Sequence, residues 1–151
     1  MLSLTRKCDY ALLAMVELAH SQADLLSARD IAGVIGVPLP VLTNVLHLLV
    51  QSGLVASRKG AHGGYALAKR PDEINLADII DGVEGPGRLT MCCAPAVDDS
   101  EDDCTLTDSC RLKGPIRRVH QGIREYLCGV SLSELAFTRE LVELSFPERS
   151  G

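Results

Sequence analysis

The 151-residue sequence predicts a mainly α-helical fold with a small β-wing: a winged helix-turn-helix, then a cysteine-rich loop, then a long helix and a short last one. Three observations carry that prediction. Apolar residues recur at three- and four-residue spacing in three separate segments before residue 53. A basic, glycine-rich hairpin follows them directly, and a further apolar stripe runs from Leu112 to Leu127. With 46% hydrophobic residues, the chain can bury one good core, or one small domain plus an element that a partner covers.

The first helix is expected over residues 3 to 20, where Leu4, Cys8, Ala11, Leu12, Met15, Leu18 and Ala19 form one face while Arg6, Lys7 and Glu17 stay in water. Ser27 followed by Asp30 reads as a capping-box-like start for a short helix carrying Ile31, Val34 and Ile35, which Gly36-Val37-Pro38 stops. A third helix begins near Pro40, runs through Leu42, Val45, Leu46 and Leu49 to Ser52, and ends at Gly53. Two short helices joined by a tight glycine-containing turn match the pattern whose second helix can enter a DNA major groove; an ordinary packed helix pair gives the same pattern.

The segment from Leu54 to Leu67 reads as two strands around the tip Arg58-Lys59-Gly60-Ala61-His62-Gly63-Gly64, a wing. The glycines let the backbone turn and approach a surface closely, and Arg58, Lys59 and His62 are cationic candidates for phosphates or the minor groove. The candidate DNA contacts are Pro40, Val41, Thr43, Asn44 and His47 on the third helix and Ser57, Arg58, Lys59, Gly60 and His62 on the wing. Asn75 or its predecessors cap a helix from Leu76 to Val83, which Gly85-Pro86-Gly87 ends.

Four of the six cysteines, Cys92, Cys93, Cys104 and Cys110, lie in one polar segment. Thiolates are soft ligands suited to iron-sulfur clusters, zinc or copper(I). The N-terminus does not resemble a signal peptide, so a cytoplasmic protein is expected, where cysteine clusters more often bind metal or do redox chemistry than form disulfides. The acids Asp98, Asp99, Glu101, Asp102 and Asp103 read as a solvated surface run, since no glycine turn or bidentate-glutamate spacing points to calcium. An enzyme is not expected, as no Cys-x-x-Cys stands near a strand-helix pattern.

Net charge is −5, but it is unevenly spread: residues 1–70 carry +3, residues 71–110 carry −10 and residues 111–151 carry +2. A mildly basic N-terminal half permits nucleic-acid binding by one part of the chain. No apolar run approaches the roughly 20 residues of a membrane span, and no membrane partner or small-molecule substrate is expected.

The stripe at residues 112, 116, 119, 123 and 126 or 127 spans about four helical turns. A second copy of the chain is its natural cover, giving a homodimer, unless it folds back on its own winged domain. Cys128, at the end of the stripe, is expected to be a buried structural thiol. Ser133 is expected to cap a last helix with Leu135, Leu141, Val142 and Leu144, ending at Phe146-Pro147. The organisation expected is a DNA-binding domain at 1–84, a cluster loop at 85–110, and dimerisation and C-terminal helices at 111–146.

The order of Leu4-Thr5, Asp9-Tyr10-Ala11-Leu12, Gly53-Leu54-Val55, Gly63-Gly64-Tyr65-Ala66-Leu67, Asp78-Ile79-Ile80, Val83-Glu84-Gly85, the cysteine loop and Val130-Ser131-Leu132-Ser133-Glu134-Leu135 resembles the bacterial winged-helix regulators of the Rrf-two type, including IscR-like, NsrR-like and SUF-operon regulators. The resemblance covers about residues 2 to 136. It implies a homodimeric transcriptional repressor that binds double-stranded operator DNA and senses iron-sulfur status, nitric oxide or redox state through a 2Fe-2S or 4Fe-4S cluster held by three cysteines. Cys104 and Cys110 match the second and third ligands, and Cys92 or Cys93 the first. The double cysteine after Leu89-Thr90 looks most like the SUF-operon subgroup. Some members use a histidine where this chain has Lys113, so the resemblance leaves Asp9, Cys8 or the spare cysteine of the 92/93 pair as fourth ligand. The third helix opens Pro40-Val41-Leu42-Thr43 where several relatives carry polar, aromatic and acidic residues, so operator preference does not transfer.

Overall fold

The computed structural model describes residues 4–87, 89–90, 93 and 110–137. Helix α1 spans Arg6–His20, and the side chain of Thr5 caps it by accepting from the Cys8 N–H. That cap sets the start three residues later than the periodicity suggests. Leu4 lies outside the helix and is 47% exposed, whereas Cys8, Ala11, Ala14, Met15 and Leu18 are buried.

Helix α2 spans Ala28–Ile35; the Ser27 hydroxyl accepts from the Asp30 N–H and donates to the Asp30 carboxylate. Gly36 ends it at φ 69°, a left-handed conformation that suits a residue without Cβ. Helix α3, Leu39–Gln51, follows after a bend of 116°, close to the angle of a helix-turn-helix. Its expected inner face of Leu42, Val45, Leu46 and Leu49 is buried. Val34, expected on the inner face of α2, is 66% exposed; Ile31 and Ala32 fill that face instead.

Strands β1, Val55–Arg58, and β2, Gly64–Leu67, pair antiparallel in the register Val55 with Leu67 and Arg58 with Gly64. A third segment joins them. Leu26, in the α1–α2 linker, exchanges both backbone hydrogen bonds with Tyr65, at 3.0 and 2.8 Å. The wing glycines are required by this packing. A Cβ on Gly64 would lie 2.6 Å from the Leu26 carbonyl oxygen, and one on Gly63 would lie 2.1 Å from that of Arg58.

A 3-10 turn at Pro71–Glu73 leads to α4, Leu76–Glu84, which starts in a reciprocal capping box between Asn75 and Asp78. Helix α5 spans Lys113–Gly129 and α6 spans Leu132–Phe137. The cap of α6 is Ser131, not Ser133. Its hydroxyl accepts from the Glu134 N–H, while the Glu134 carboxylate accepts from the Ser131 N–H, so the S-x-x-E spacing selects Ser131. The expected continuation through Leu141, Val142, Leu144 and Phe146-Pro147 lies outside the described residues.

The core gathers Met15, Ile31, Leu42, Leu46, Leu49, Ile74, Ile79 and Leu132, each fully buried. The C-terminal part is tied in by backbone pairing: Leu132 N–H donates to Ile74 at 2.7 Å and Leu76 N–H to Val130 at 2.8 Å. His20 at the end of α1 packs on Phe137 in a tilted arrangement, with ring centroids 5.3 Å apart, and its Nε2 donates to the Ala136 carbonyl. Arg124 of α5 donates twice to the Asp81 carboxylate of α4, each at 2.7 Å, and this hydrogen bonding raises the guanidinium above its ordinary pKa. Among the described residues no single helix is long and apolar enough to cross a membrane. The mainly helical, winged architecture predicted from sequence is borne out.

Replacing Gly64 with Ala should force the Leu26–Tyr65 pairing apart and destabilise the fold by about 1–3 kcal/mol. Gly33→Ala, in open space on α2, should instead be neutral or stabilising by up to about 1 kcal/mol. Thermal unfolding of both variants checks the pair; equal midpoints would show that Gly64 is not needed for the wing.

Candidate nucleic-acid interface and cysteine site

Helix α3 contains no Asp, Glu, Lys or Arg. Opposite its buried face, Pro40, Val41, Asn44 and His47 are exposed, and Thr43 is half-buried with its hydroxyl donating to the Leu39 carbonyl at 2.8 Å. Gln51, seven residues on from Asn44, extends the same exposed face; the helical repeat alone is enough to add it. The wing supplies the cations that α3 lacks. Ser57, Arg58, Lys59, Gly60 and His62 are all exposed at its tip, and Gly60 adopts φ 115°, which permits the turn.

The winged helix therefore offers a polar and apolar helix face without acids, Lys or Arg, together with a cationic hairpin tip. The first suits base edges and the second suits phosphates. Arg29, exposed in the first turn of α2, adds a further cation to the helix pair.

The cysteine segment is described at its two ends. Cys93 is 6% exposed; its Sγ lies 3.3 Å from the Thr90 hydroxyl and donates to the Ile116 carbonyl at 4.0 Å. Cys110 is half-buried just ahead of α5, where the Lys113 N–H donates to its carbonyl at 3.3 Å. The N-terminus of α5 has no side-chain cap, so its positive end favours negative charge placed there. Cys92 and Cys104 lie outside the described residues. Among the described residues, no three His, Cys, Asp or Glu side chains converge as a metal site.

Asp9 is exposed on the first turn of α1. The same turn is tied to the end of α4, where the Thr5 hydroxyl donates to Glu84 and Lys7 Nζ stands 3.8 Å from the same carboxylate. The neighbouring Cys8 is fully buried. Burial, then the charges of Glu84 and Asp9, push its thiol up to about 11. Cys128 is exposed, contrary to the buried role expected of it, because the C-terminal turn of α5 turns that position towards solvent.

These environments predict different thiol reactivities. In the folded protein at pH 8, Cys128 should be alkylated by iodoacetamide while Cys8 is protected until denaturant is added. Peptide mass spectrometry of labelled protein checks this. Rapid labelling of Cys8 under native conditions would contradict its placement.

The chain is similar to known proteins over nearly its whole length. The profile of the Rrf2 family, described as iron-dependent transcriptional regulator, matches residues 4–138. The HTH-type transcriptional regulator NsrR of Shouchella clausii is 32% identical over 127 residues, which cover 83% of this chain and 80% of the relative. The HTH-type transcriptional regulator IscR of Aliivibrio salmonicida is 32% identical over 145 residues, covering 95% and 83%. Among solved structures, CymR, the global cysteine regulator of B. subtilis, superposes with a TM-score of 0.67 at 30% identity, covering 90% of this chain and 97% of that one. IscR of T. potens gives 0.66 at 28% identity, covering 97% and 94%. A winged helix-turn-helix carrying this cysteine segment, matched by the family profile from residue 4 to 138, belongs to the Rrf2 family of transcriptional regulators.

Proposed function

We propose that this protein is a homodimeric repressor that binds double-stranded operator DNA through α3 and the wing, and that its affinity is set by an iron-sulfur cluster held in the cysteine segment. The observation that carries the DNA reading is the pairing of an exposed face on α3 that holds no Asp, Glu, Lys or Arg with the cationic tip Arg58-Lys59, on a helix pair bent by 116°. The double cysteine motif points to genes of iron-sulfur assembly as the target, with nitric oxide or redox-stress genes as the other class within the same family.

Homodimerisation is supported by α5. One flank packs on α4 through Arg124 and Asp81, while Leu112, Val119 and Tyr126 stay 59%, 53% and 43% exposed. Seven-residue spacing keeps these three on one seam, as in a coiled coil. A second copy of α5 covers that seam about a two-fold axis, and two-fold symmetry presents two recognition helices to a palindromic site.

The donor set fits a cluster. Cys104 and Cys110 supply two thiolates, and Cys92 supplies the third in preference to Cys93, whose thiol is buried against Thr90 and Ile116. The positive N-terminal end of α5 beside Cys110, where Leu112 offers no side-chain cap, favours an anionic centre. Asp9 is the fourth ligand, contributed across the dimer, since Cys8 is sealed in the core. When bound, a 2Fe-2S or 4Fe-4S cluster supplies iron whose ligation responds to nitric oxide, oxygen or cluster supply.

Anaerobically purified protein should be brown, and Cys104→Ala or Cys110→Ala should remove most of its visible absorbance; a colourless protein carrying zinc would replace the cluster with a tetrahedral metal site. Mixing Asp9→Ala chains with Cys104→Ala chains should restore the wild-type spectrum at one site per heterodimer if Asp9 acts across the dimer. No restoration would place the fourth ligand within one chain.

Replacing Arg58 and Lys59 with Ala should weaken operator binding and reduce its salt slope by about one unit per lost phosphate contact. Fluorescence anisotropy across a salt series measures both. An unchanged slope would remove the wing from the interface.

A further inference from the structure

We propose that Val41 and Asn44 of α3 read an A·T step in each operator half-site, Asn44 by paired hydrogen bonds to adenine N6 and N7 and Val41 by packing on a thymine methyl group. This base chemistry rests on the DNA reading above and adds what α3 selects.

Helix α3 lacks the side chains that most often read a G·C pair. Guanine is most commonly read by Arg or Lys through O6 and N7, and cytosine by a carboxylate accepting from N4. None of these side chains occurs anywhere in Leu39–Gln51. The two cations that follow most closely in sequence, Arg58 and Lys59, stand on the wing and not on the helix that enters the groove. The face that is left is apolar at its start and carries an amide in its second turn.

Recognition helices place their N-terminal residues against base edges. Val41, in the first turn, is 40% exposed, and Asn44, three residues on, is exposed on the same face. An amide presents one donor and one acceptor in a plane, which matches the adenine pattern of N6 donor and N7 acceptor. A branched aliphatic group has no polar contact to make in the groove. The thymine C5-methyl is the apolar feature there. Thr43 is a weaker reader, because its hydroxyl donates to Leu39 within the helix.

The experiment uses the full-length protein, purified without air, and a pool of random duplexes. Selection should enrich one A·T step at a fixed position in each half-site, and Asn44→Ala should lose that enrichment. In the selected duplex, 7-deazaadenine at that position removes N7. It should weaken wild-type binding about tenfold and leave Asn44→Ala binding unaffected. Uracil in place of the thymine removes only the methyl group and should weaken the wild type about threefold, but not Val41→Ala. The modified bases act on unaltered protein, so a folding defect in a variant cannot mimic the result. Enrichment of a G·C step facing α3, or indifference to both modified bases, overturns the inference while leaving DNA binding intact. Failure to bind any duplex at low salt overturns the DNA reading as well.

Discussion

The backbone pairing of Ile74 and Leu76 with Val130 and Leu132 is the constraint on which the arrangement depends. It joins the packing of α6 on α1 and the partly exposed Arg124–Asp81 ion pair in holding the 17-residue α5 against the winged domain. With it, the chain leaves the winged domain at Glu84 and returns to it at Val130, and Leu132 enters the core. Thr5 and Lys7 hold Glu84 at the departure point, and Cys93 meets Ile116 near the return.

Charge is handled by placement and not by burial. Among the described residues no polar or charged side chain is buried, and no buried side-chain nitrogen or oxygen is left without a partner. The core is aliphatic, with Met15 and Cys8 filling gaps between helices. Every acid of α4 is engaged within the fold, since the Asp78 carboxylate accepts from the N–H of the cap residue Asn75, Asp81 receives Arg124, and Glu84 joins the first turn of α1. Part of the strong negative charge of residues 71–110 is therefore structural, which leaves the basic tip of the wing undiminished as a cationic surface.

Local signals made most of the fold legible in the sequence. Ser27 with Asp30 marked one helix start, Asn75 was one of the candidate caps of another, and the buried face of α3 followed directly from its spacing. Ser131 with Glu134 carried an equally local signal that Ser133 obscured. Non-local contacts were illegible. Nothing in the spacing of Leu26 reveals that it pairs with Tyr65, and the exposure of Val34 depends on how far α2 rotates against α3. The site divides in the same way. A polar, cationic wing tip is visible from residue types alone, but Cys92 and Cys93 are chemically identical neighbours, and only the packing of Cys93 on α5 distinguishes it.

The Leu26–Tyr65 pairing also bears on how the protein would meet a duplex. Because the linker that positions α2 is hydrogen-bonded to the wing, a shift of the wing against the helix pair would have to break the two Leu26–Tyr65 backbone hydrogen bonds. A wing held in this way would adapt less readily to variation in groove width. The duplex would bend or twist to meet the wing and the helix pair together, at an energy that depends on the stacking of the base steps between them. Sequence preference would then extend to base pairs that no side chain touches.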